Sequence, residues 1–145
     1  MDSVKVSART EYACIAILEL ASRYDSANPA RVRDLAQTHD IPLRFLVQIL
    51  LQMKASGFVV STRGKSGGYQ LNRPPQQITL GEVMAAIEGS RPHGMDGRQS
   101  GTSIARALRD VWDEAEQAQQ NVLQSVTVAE LLELTREVPG AMYYI

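Results

Sequence analysis

The stretch IPLRFLVQILLQMKASGFVVSTRGKSGGYQL, residues 41–71, decides the fold, because the spacing of its apolar residues changes half-way along. In the first half the apolar side chains recur at helical spacing, which predicts a helix over 42–55 with a core stripe on one face. That stripe consists of Leu46, Ile49, Leu50 and Met53. Pro42 fits the first turn of this helix, Asp40 is placed to cap it, and Gly57 is expected to end it in a left-handed conformation.

The same helix carries a second, mixed stripe on another face. It consists of Arg44, Val47, Gln48 and Leu51. Just upstream, ARVRDLAQ predicts a short helix over 30–37, since Val32, Leu35 and Ala36 follow one another at i, i+3 and i+4. Two helices joined by a short turn, with Arg and Gln presented outward by the second, form the arrangement of a helix-turn-helix.

The second half of the stretch predicts a hairpin over 58–73, because β-branched and aromatic residues flank the turn cluster GKSGG. The letters GKS also close nucleotide-binding phosphate loops, but such a loop needs a glycine where this chain has Val59, and it must open into a helix. A strand-like YQL follows instead. A glycine-rich hairpin with Arg63 and Lys65, directly after a helix-turn-helix, predicts the wing of a winged-helix DNA-binding domain. The alternative is a solvated tip whose charges serve only solubility.

The rest of the chain is predicted to be helical on either side of one long loop. ARTEYACIAILELAS, residues 8–22, is typical of a largely buried helix. TLGEVMAAIE, residues 79–88, predicts a helix in which Thr79 and Glu82 form a capping box. The Gly- and Ser-rich loop GSRPHGMDGRQSGT follows, and a last helix is expected over 127–137 before the tail VPGAMYYI.

A long helix expected over about 103–124 has apolar residues at spacings of 4, 3, 4, 3 and 4, which is a heptad seam. The seam consists of Ile104, Leu108, Val111, Ala115, Ala118 and Val122. It predicts that this helix packs against its copy in a second subunit, and packing within the same chain is the alternative. Trp112, Tyr143 and Tyr144 are expected to pack in the dimer, although they could instead line a ligand pocket.

These elements predict a mainly α fold with a small β-hairpin wing in a chain of 145 residues. Residues 1–88 are expected to form a winged helix-turn-helix domain, 89–102 a flexible effector or sensor loop, and 103–145 a dimerisation helix and a C-terminal helix. The lone cysteine permits no internal disulfide, the N-terminus lacks a secretory pattern, and no apolar run reaches the 18 or so residues of a membrane helix. A cytoplasmic protein that makes no membrane contact is expected.

The formal net charge of −1 hides an uneven distribution of charge. Residues 31–73 hold seven Lys or Arg against two Asp, a net of +5, whereas residues 103–137 hold three Arg against seven acidic residues, a net of −4. The first region suits a polyanion and the second would be repelled by one. The predicted helix-turn-helix and wing therefore coincide with the basic part of the chain.

Five segments, in order, resemble the Rrf2-type family of bacterial winged helix-turn-helix transcription regulators. They are SARTEYACIAILELA, the stretch from IPLRF to LNRPP, ITLGEVMAAIEG, ALRDVWDEAEQ and VTVAELL. The family includes the iron–sulfur cluster regulator, the nitric-oxide-sensing repressor and the cysteine-metabolism repressor. The resemblance covers nearly the whole chain, and RGKSGGYQL is its most specific part. It implies a homodimer that binds pseudo-palindromic double-stranded DNA and crosses a long C-terminal helix, here about 103–124, with its partner.

By this resemblance the DNA contacts fall on the second helix of the helix-turn-helix and on the wing. Arg44, Val47 and Gln48 match positions that meet base edges in the major groove, and Arg63 matches the wing position that enters the minor groove. The full set of expected contacts is Arg44, Val47, Gln48, Leu51, Lys54, Arg63, Lys65, Ser66, Gly67 and Tyr69. Several relatives have an acidic residue in place of Val47, which implies a different operator here, because valine can only pack, for instance on a thymine methyl group.

The largest departure from the family pattern lies at 88–106, where cluster-binding members carry three cysteines. This chain has none there, and the stretch holds His93, Asp96 and Arg106 instead, so the resemblance implies the cluster-free branch, with no cofactor expected. A non-cysteine metal site at His93 and Asp96 is the alternative to an exposed loop histidine. Cys14 is expected to be a small buried hydrophobe, with a redox-active thiol as the alternative. Cys14 and His93 are therefore the two candidate sensor residues.

The sequence thus predicts a DNA-binding transcription regulator, a repressor in preference to an activator. The alternative is a protein-interaction module of the same fold whose DNA binding depends on a partner protein or a small effector. An enzyme is not expected, because no nucleophile–base pair and no paired carboxylates stand at a recognisable spacing.

Overall fold

The structure, a computed structural model, describes residues 6–26, 28–89 and 101–142, with side chains up to residue 136. The elements in chain order are α1 (Ala8–Ser22), α2 (Val32–His39), α3 (Leu43–Ala55), β1 (Val59–Thr62), β2 (Gly68–Leu71), α4 (Leu80–Glu88), α5 (Ser103–Ser125) and α6 (Val128–Met142). Short 3₁₀ turns at Tyr24–Ser26 and Pro75–Gln77 precede α2 and α4. Of the helices described, none combines the length and the apolar character needed to cross a membrane.

The central element of the fold is α1, which contacts α2, α3, α4, α6 and β2. Its buried face includes Ala13, Ile17 and Leu20. The core stripe predicted for α3 is confirmed, since none of its four side chains has exposed surface. Burial of an aliphatic side chain contributes about 1.5–3 kcal/mol, so the α1–α3 contact is a main source of stability.

The first helix of the helix-turn-helix begins later than predicted. The sequence pattern indicates 30–37, and the structure has α2 at Val32–His39. Ala30 cannot join the helix, because it is extended and exchanges backbone hydrogen bonds with Tyr69 of β2. The long-range pairing of one residue therefore outweighs its local helical pattern.

The turn between α2 and α3 corrects a second expectation. Asp40 does not cap α3 but ends α2, with φ 54° in the left-handed region that Asp adopts more readily than most residues. Its backbone N–H closes the last turn of α2. α3 begins at Leu43 directly after Pro42 and has no side-chain cap. The left-handed conformation predicted for Gly57 after α3 is confirmed, with φ 86°.

The predicted hairpin is confirmed, and β2 is its inner strand. The two strands pair antiparallel, with Val59 opposite Leu71 and Thr62 opposite Gly68. Gly68 marks the closest approach of β2 to the chain before α2, because a Cβ there would lie 2.4 Å from the carbonyl oxygen of Ala30. The GKS letters therefore stand in a tight turn between two strands, and no helix follows them.

The helix α4 has the predicted capping box. Thr79 Oγ1 accepts from the backbone N–H of Glu82 at 3.1 Å, and the Glu82 carboxylate accepts from that of Thr79 at 3.1 Å. α5 matches its predicted range, whereas α6 runs beyond the predicted end at 137, to Met142. Pro139 removes one backbone donor from this helix without ending it.

After α5 the chain returns to the N-terminal domain. Leu80 N donates to Val126 O at 2.9 Å, and Val128 N donates to Ile78 O at 2.8 Å. Val128 is buried in the core, and α6 packs along α1. The C-terminal helix thus shares the core of the winged-helix domain. Most of the predicted 89–102 loop, residues 90–100, lies outside the described residues.

Candidate nucleic-acid interface

α3 turns its second face away from the core. The residues predicted on that face, Arg44, Val47, Gln48 and Leu51, are all exposed. An arginine and a glutamine at such positions can donate two hydrogen bonds each to guanine and adenine edges, and the apolar pair can pack on thymine methyl groups. This face therefore has the chemistry of a base-reading surface.

One large residue beside this face is not among the contacts predicted from the sequence. Phe45 follows Arg44 on the first turn of α3 and is 49% exposed. Its hydrophobicity makes it look like part of the core, but it lies outside the i, i+3, i+4 pattern of the core stripe, which is the signal that could have found it. Leu43, at the start of α3, is exposed as well. Together they give the N-terminal end of α3 an apolar surface next to Arg44.

The tip of the hairpin presents basic and polar side chains to solvent. Arg63, Lys65 and Ser66 are exposed. The guanidinium of Arg31, directly before α2, donates to the backbone oxygen of Lys65. The tip is therefore held against the helix-turn-helix, and a second arginine adds positive charge to it.

Two predicted contacts on the hairpin serve the fold itself. Gly67 is buried in the turn, where a Cβ would lie 2.2 Å from the carbonyl oxygen of Thr62. Tyr69 is half-buried against the core, and its backbone pairs with Ala30. Both residues shape the wing, and the burial of Gly67 argues against a direct contact with DNA.

Lys54, a further predicted contact, links α3 to the hairpin. Its Nζ donates to Ser61 Oγ of β1 at 2.8 Å, while the residue as a whole stays exposed. The bond ties the base of the wing to the last turn of α3. Its positive charge lies between the two basic elements.

A carboxylate in α1 holds the end of α2. Glu19 Oε1 lies 2.8 Å from His39 Nε2, and Glu19 Oε2 accepts from Arg23 Nε at 3.1 Å. Partial burial acts to raise the pKa of Glu19, but the hydrogen bonds with His39 and Arg23 outweigh it and lower this pKa below its ordinary value of 4.5. Glu19 thereby anchors the turn of the helix-turn-helix on α1.

α5 has no buried residue along its 23 residues. All six residues of the predicted seam are exposed, and Ile104 reaches 81%. Trp112, on the adjoining strip of the helix, is 62% exposed. In the part of the chain that the structure describes, the seam is thus not covered by packing within one subunit.

The structure describes only one of the two candidate sensor residues. His93 lies outside the described residues, as does Asp96. Cys14 is half-buried in α1, and burial, together with the charges of Glu88 and Glu11, raises the pKa of its thiol to about 11. Such a thiol is almost wholly protonated at neutral pH and is a weak nucleophile, which argues against the redox-active alternative.

The chain does not offer the ligands of an iron–sulfur cluster. Such clusters are held chiefly by three or four thiolates, and Cys14 is the single cysteine of the sequence. Arg106, at or near a ligand position by the resemblance, is exposed, and a guanidinium does not bind metal ions. Among the residues the structure describes, no three His, Cys, Asp or Glu side chains come together as a metal site.

A cavity of about 250 Å³ opens between the end of α1 and the hairpin. Leu20 and Leu71 contribute apolar surface to it, and Arg23, Tyr24 and Gln70 contribute polar groups. Because it is bordered by both α1 and the wing, an occupant would contact both. Its volume suits a small molecule only.

Comparison with known proteins agrees with this geometry. A family model described as Rrf2, iron-dependent transcriptional regulator, matches residues 6–134. An HTH-type transcriptional regulator of Synechocystis sp. is 33% identical over 129 residues, which are 88% of this chain and 87% of that one. Both are described as transcriptional regulators, which is the class of protein that the sequence predicted.

Solved structures match over most of both chains. CymR, the global cysteine regulator of Bacillus subtilis, superimposes with a TM-score of 0.78 at 28% identity, over 91% of this chain and 98% of that one. IscR of T. potens superimposes with a TM-score of 0.77 at 25% identity, over 94% and 91%. The predicted winged helix-turn-helix fold is therefore confirmed, and the chain belongs to the Rrf2 family of transcriptional regulators.

Proposed function

We propose that this protein is a homodimeric repressor that binds a pseudo-palindromic DNA operator without an iron–sulfur cluster. The observation that carries the proposal is the exposed face of α3, which presents Arg44 and Gln48 to solvent within the same +5 region of the chain as the exposed basic tip of the hairpin. α3 enters the major groove, and Arg63 of the hairpin enters the adjacent minor groove, whose negative potential attracts arginine. Occupancy of the operator by itself blocks transcription.

The charge distribution supports DNA as the partner. The net +5 of residues 31–73 lies on α2, α3 and the hairpin, which are tied together by the Arg31–Lys65 and Lys54–Ser61 contacts. The net −4 of residues 103–137 lies on α5 and α6. A duplex is therefore attracted to α2, α3 and the hairpin and repelled from α5 and α6, which orients the complex.

The exposed seam of α5 supports a homodimer. A self-complementary contact along one helix buries the seam of both copies at once and creates a two-fold axis. At 1.5 Å per residue, the 23 residues of α5 span roughly 35 Å. A two-fold dimer reads half-sites that repeat in opposite orientation about one helical turn of DNA apart.

The donor chemistry supports a regulator without the cluster. The family model carries the description iron-dependent, yet the thiolates that such a cluster requires are missing from 88–106 and Cys14 is a protonated thiol in α1. We expect protein purified without oxygen to be colourless between 300 and 700 nm, roughly the range of thiolate-to-iron absorption, and to contain no stoichiometric iron. A brown protein with bound iron would overturn this part of the proposal.

The DNA-binding role is tested by titration of a fluorescent duplex from the promoter region of its own gene. Anisotropy should report a saturable complex whose affinity falls steeply with salt and that a scrambled duplex of equal length does not compete away. Equal affinity for both duplexes would contradict the role of a sequence-specific regulator.

A second candidate is a module whose DNA binding requires a small effector or a protein partner. The cavity between α1 and the hairpin favours this candidate, because an occupant there would contact both α1 and the wing and could bind one arrangement of the two more tightly than another. It predicts weak DNA binding by the purified chain and recovery on addition of cell extract. Filtration of the extract through a 3 kDa membrane, roughly the size boundary between metabolites and proteins, separates the effector from the partner.

A further inference from the structure

The helix α4 connects the surface that faces DNA with the helix that carries the seam. It has nine residues, which span roughly 13 Å. α3 packs against it, and α5 rests on the domain chiefly through it. Any change in how α4 is held therefore alters the direction of α3 relative to α5.

Gln52 fastens the C-terminal end of α4 to α3. Its Nε2 donates to the carbonyl oxygen of Ala86 at 3.0 Å and to that of Ile87 at 3.3 Å. These carbonyls belong to the last turn of α4, where a helix has no N–H donors of its own left to pair with them. Its Oε1 accepts from the guanidinium of Arg9 in α1. One half-buried amide thus joins α3 to both α4 and α1.

Gln124 fastens the other end of α4 to α5. Thr79 Oγ1, the hydroxyl that caps α4, donates to Gln124 Oε1 at 3.1 Å. The same side chain lies over Gly81, where a Cβ would come within 2.6 Å of Gln124 Nε2. Glycine at this position therefore leaves the space through which Gln124 reaches the cap. The backbone hydrogen bond from Leu80 N to Val126 O adds a main-chain link between the start of α4 and the residue after α5.

We propose that Gln52 and Gln124 are positioning residues that hold α3 rigidly to the dimer helix through α4, and so set which half-site spacing the dimer accepts. The inference rests on the proposed function, since spacing has a meaning only for a dimer on an inverted repeat. One base pair moves a half-site by about 3.4 Å along the duplex and turns it by roughly 35°. If the connection from α3 through α4 to α5 is rigid, the dimer binds a duplex with displaced half-sites poorly. If that connection is loosened, the dimer can bind the displaced half-sites.

The experiment measures spacing preference with the full chain. The wild-type protein selects its preferred duplex from a library of random inverted repeats, and two further duplexes move the half-sites one base pair apart or together. Gln52→Ala, Gln52→Glu and Gln124→Ala are titrated on all three duplexes at fixed salt. We expect the preference for the selected spacing to fall roughly three- to tenfold in each variant, as for the loss of one to three partly exposed hydrogen bonds. Affinity for a single half-site should change little.

Further variants separate the contact of Gln52 with α4 from its contact with α1, and separate both from base reading. Gln52→Glu keeps an acceptor for Arg9 but has no donor for the carbonyls of α4, so it isolates the α3–α4 bond and preserves the size of the side chain if Gln52→Ala does not fold. Gln48→Ala, one turn earlier on the exposed face, should lower affinity for every duplex and keep the spacing preference. Gln76→Ala, an exposed glutamine before α4, should change neither.

The outcomes distinguish a failure of this inference from a failure of the proposed function. Variants that fold, by circular dichroism, yet reject the shifted duplexes as strongly as the wild type would overturn the inference and leave the function standing. A wild-type protein that selects no duplex would overturn the proposed function, and the inference with it.

Discussion

The backbones of Ala30 and Tyr69 exchange two hydrogen bonds, 2.9 Å from Ala30 N and 2.8 Å from Tyr69 N. This pair adds a one-residue third strand to the hairpin and attaches the wing to the segment before α2. The contact of Arg31 with the backbone of Lys65 holds the tip on the same side. The wing is therefore fixed to the helix-turn-helix by these contacts and does not project from it as an independent hairpin.

Alanine at Gly68 should break this attachment. The residue has φ 150°, and its Cβ would lie 2.4 Å from the carbonyl oxygen of Ala30, a backbone atom that cannot swing aside. We expect a loss of about 2 kcal/mol or more in the free energy of unfolding, measured by urea denaturation. Gly101→Ala, whose Cβ meets nothing within 4 Å, is the control and should stay within about 0.5 kcal/mol of the wild type. Equal stability of the two variants would contradict the attachment.

Arg63→Ala should weaken binding to a cognate duplex by about 1–3 kcal/mol, because the side chain is exposed at the wing tip and free to enter the minor groove. The slope of log affinity against log salt should fall by about one unit if the arginine also neutralises a phosphate. Arg136→Ala, which removes an exposed arginine paired with Glu133 on α6, is the matched control. Unchanged affinity of Arg63→Ala at fixed salt would refute the role.

A charge in the seam of α5 should separate the subunits. Val111→Glu places a carboxylate where the proposed dimer is apolar, and Val111 is exposed in the single subunit, so the fold itself should survive. Sedimentation velocity should show monomers at concentrations where the wild type is dimeric. Gln120→Glu adds the same charge nine residues later, about 180° around the helix, and should leave the dimer intact. Dimers of both variants would show that the seam is not the interface.

The anchor between Glu19 and His39 predicts a dependence of stability on acid pH. The pKa of Glu19 is lower in the folded chain than its ordinary value of 4.5, so the folded state binds fewer protons than the unfolded state. Its stabilisation is present above pH 4.5 and is lost as the pH falls through the lowered pKa. Glu19→Gln should therefore be less stable than the wild type at pH 7, with the difference shrinking in acid. Glu133→Gln controls for the loss of a surface charge.

The thiol of Cys14 should react slowly in the folded protein. With a pKa of about 11 it carries little thiolate at neutral pH. Alkylation by iodoacetamide should be much slower at pH 7 than in urea, and its rate should keep rising up to about pH 11. Cys14→Ala should bind DNA as the wild type does. Fast alkylation of the native protein at pH 7 would restore the redox-sensor alternative.

The sequence by itself determined the elements whose signals are local. The core stripe of α3, the capping box of Thr79 and Glu82, the glycine after α3 and the glycine-rich turn of the hairpin each depend on residues within a few positions of one another, and the structure has all of them. Helical and strand periods are set by backbone geometry, so they can be read without knowing the partner of any face. The exposed stripe of α3 followed from the same argument, because the face opposite a core stripe points to solvent.

Only the tertiary structure decided the features that depend on contacts between distant segments. Ala30 fits a helix locally but pairs with Tyr69, and Asp40 resembles a cap but ends the preceding helix. The sequence predicts that Gly67 is an exposed wing residue, but the turn around it buries it in the structure. The hydrogen bonds that Gln52 donates to α4 join residues more than thirty positions apart. No local pattern encodes such a bond, because its partner is brought into reach only when the core of α1 and α3 has closed.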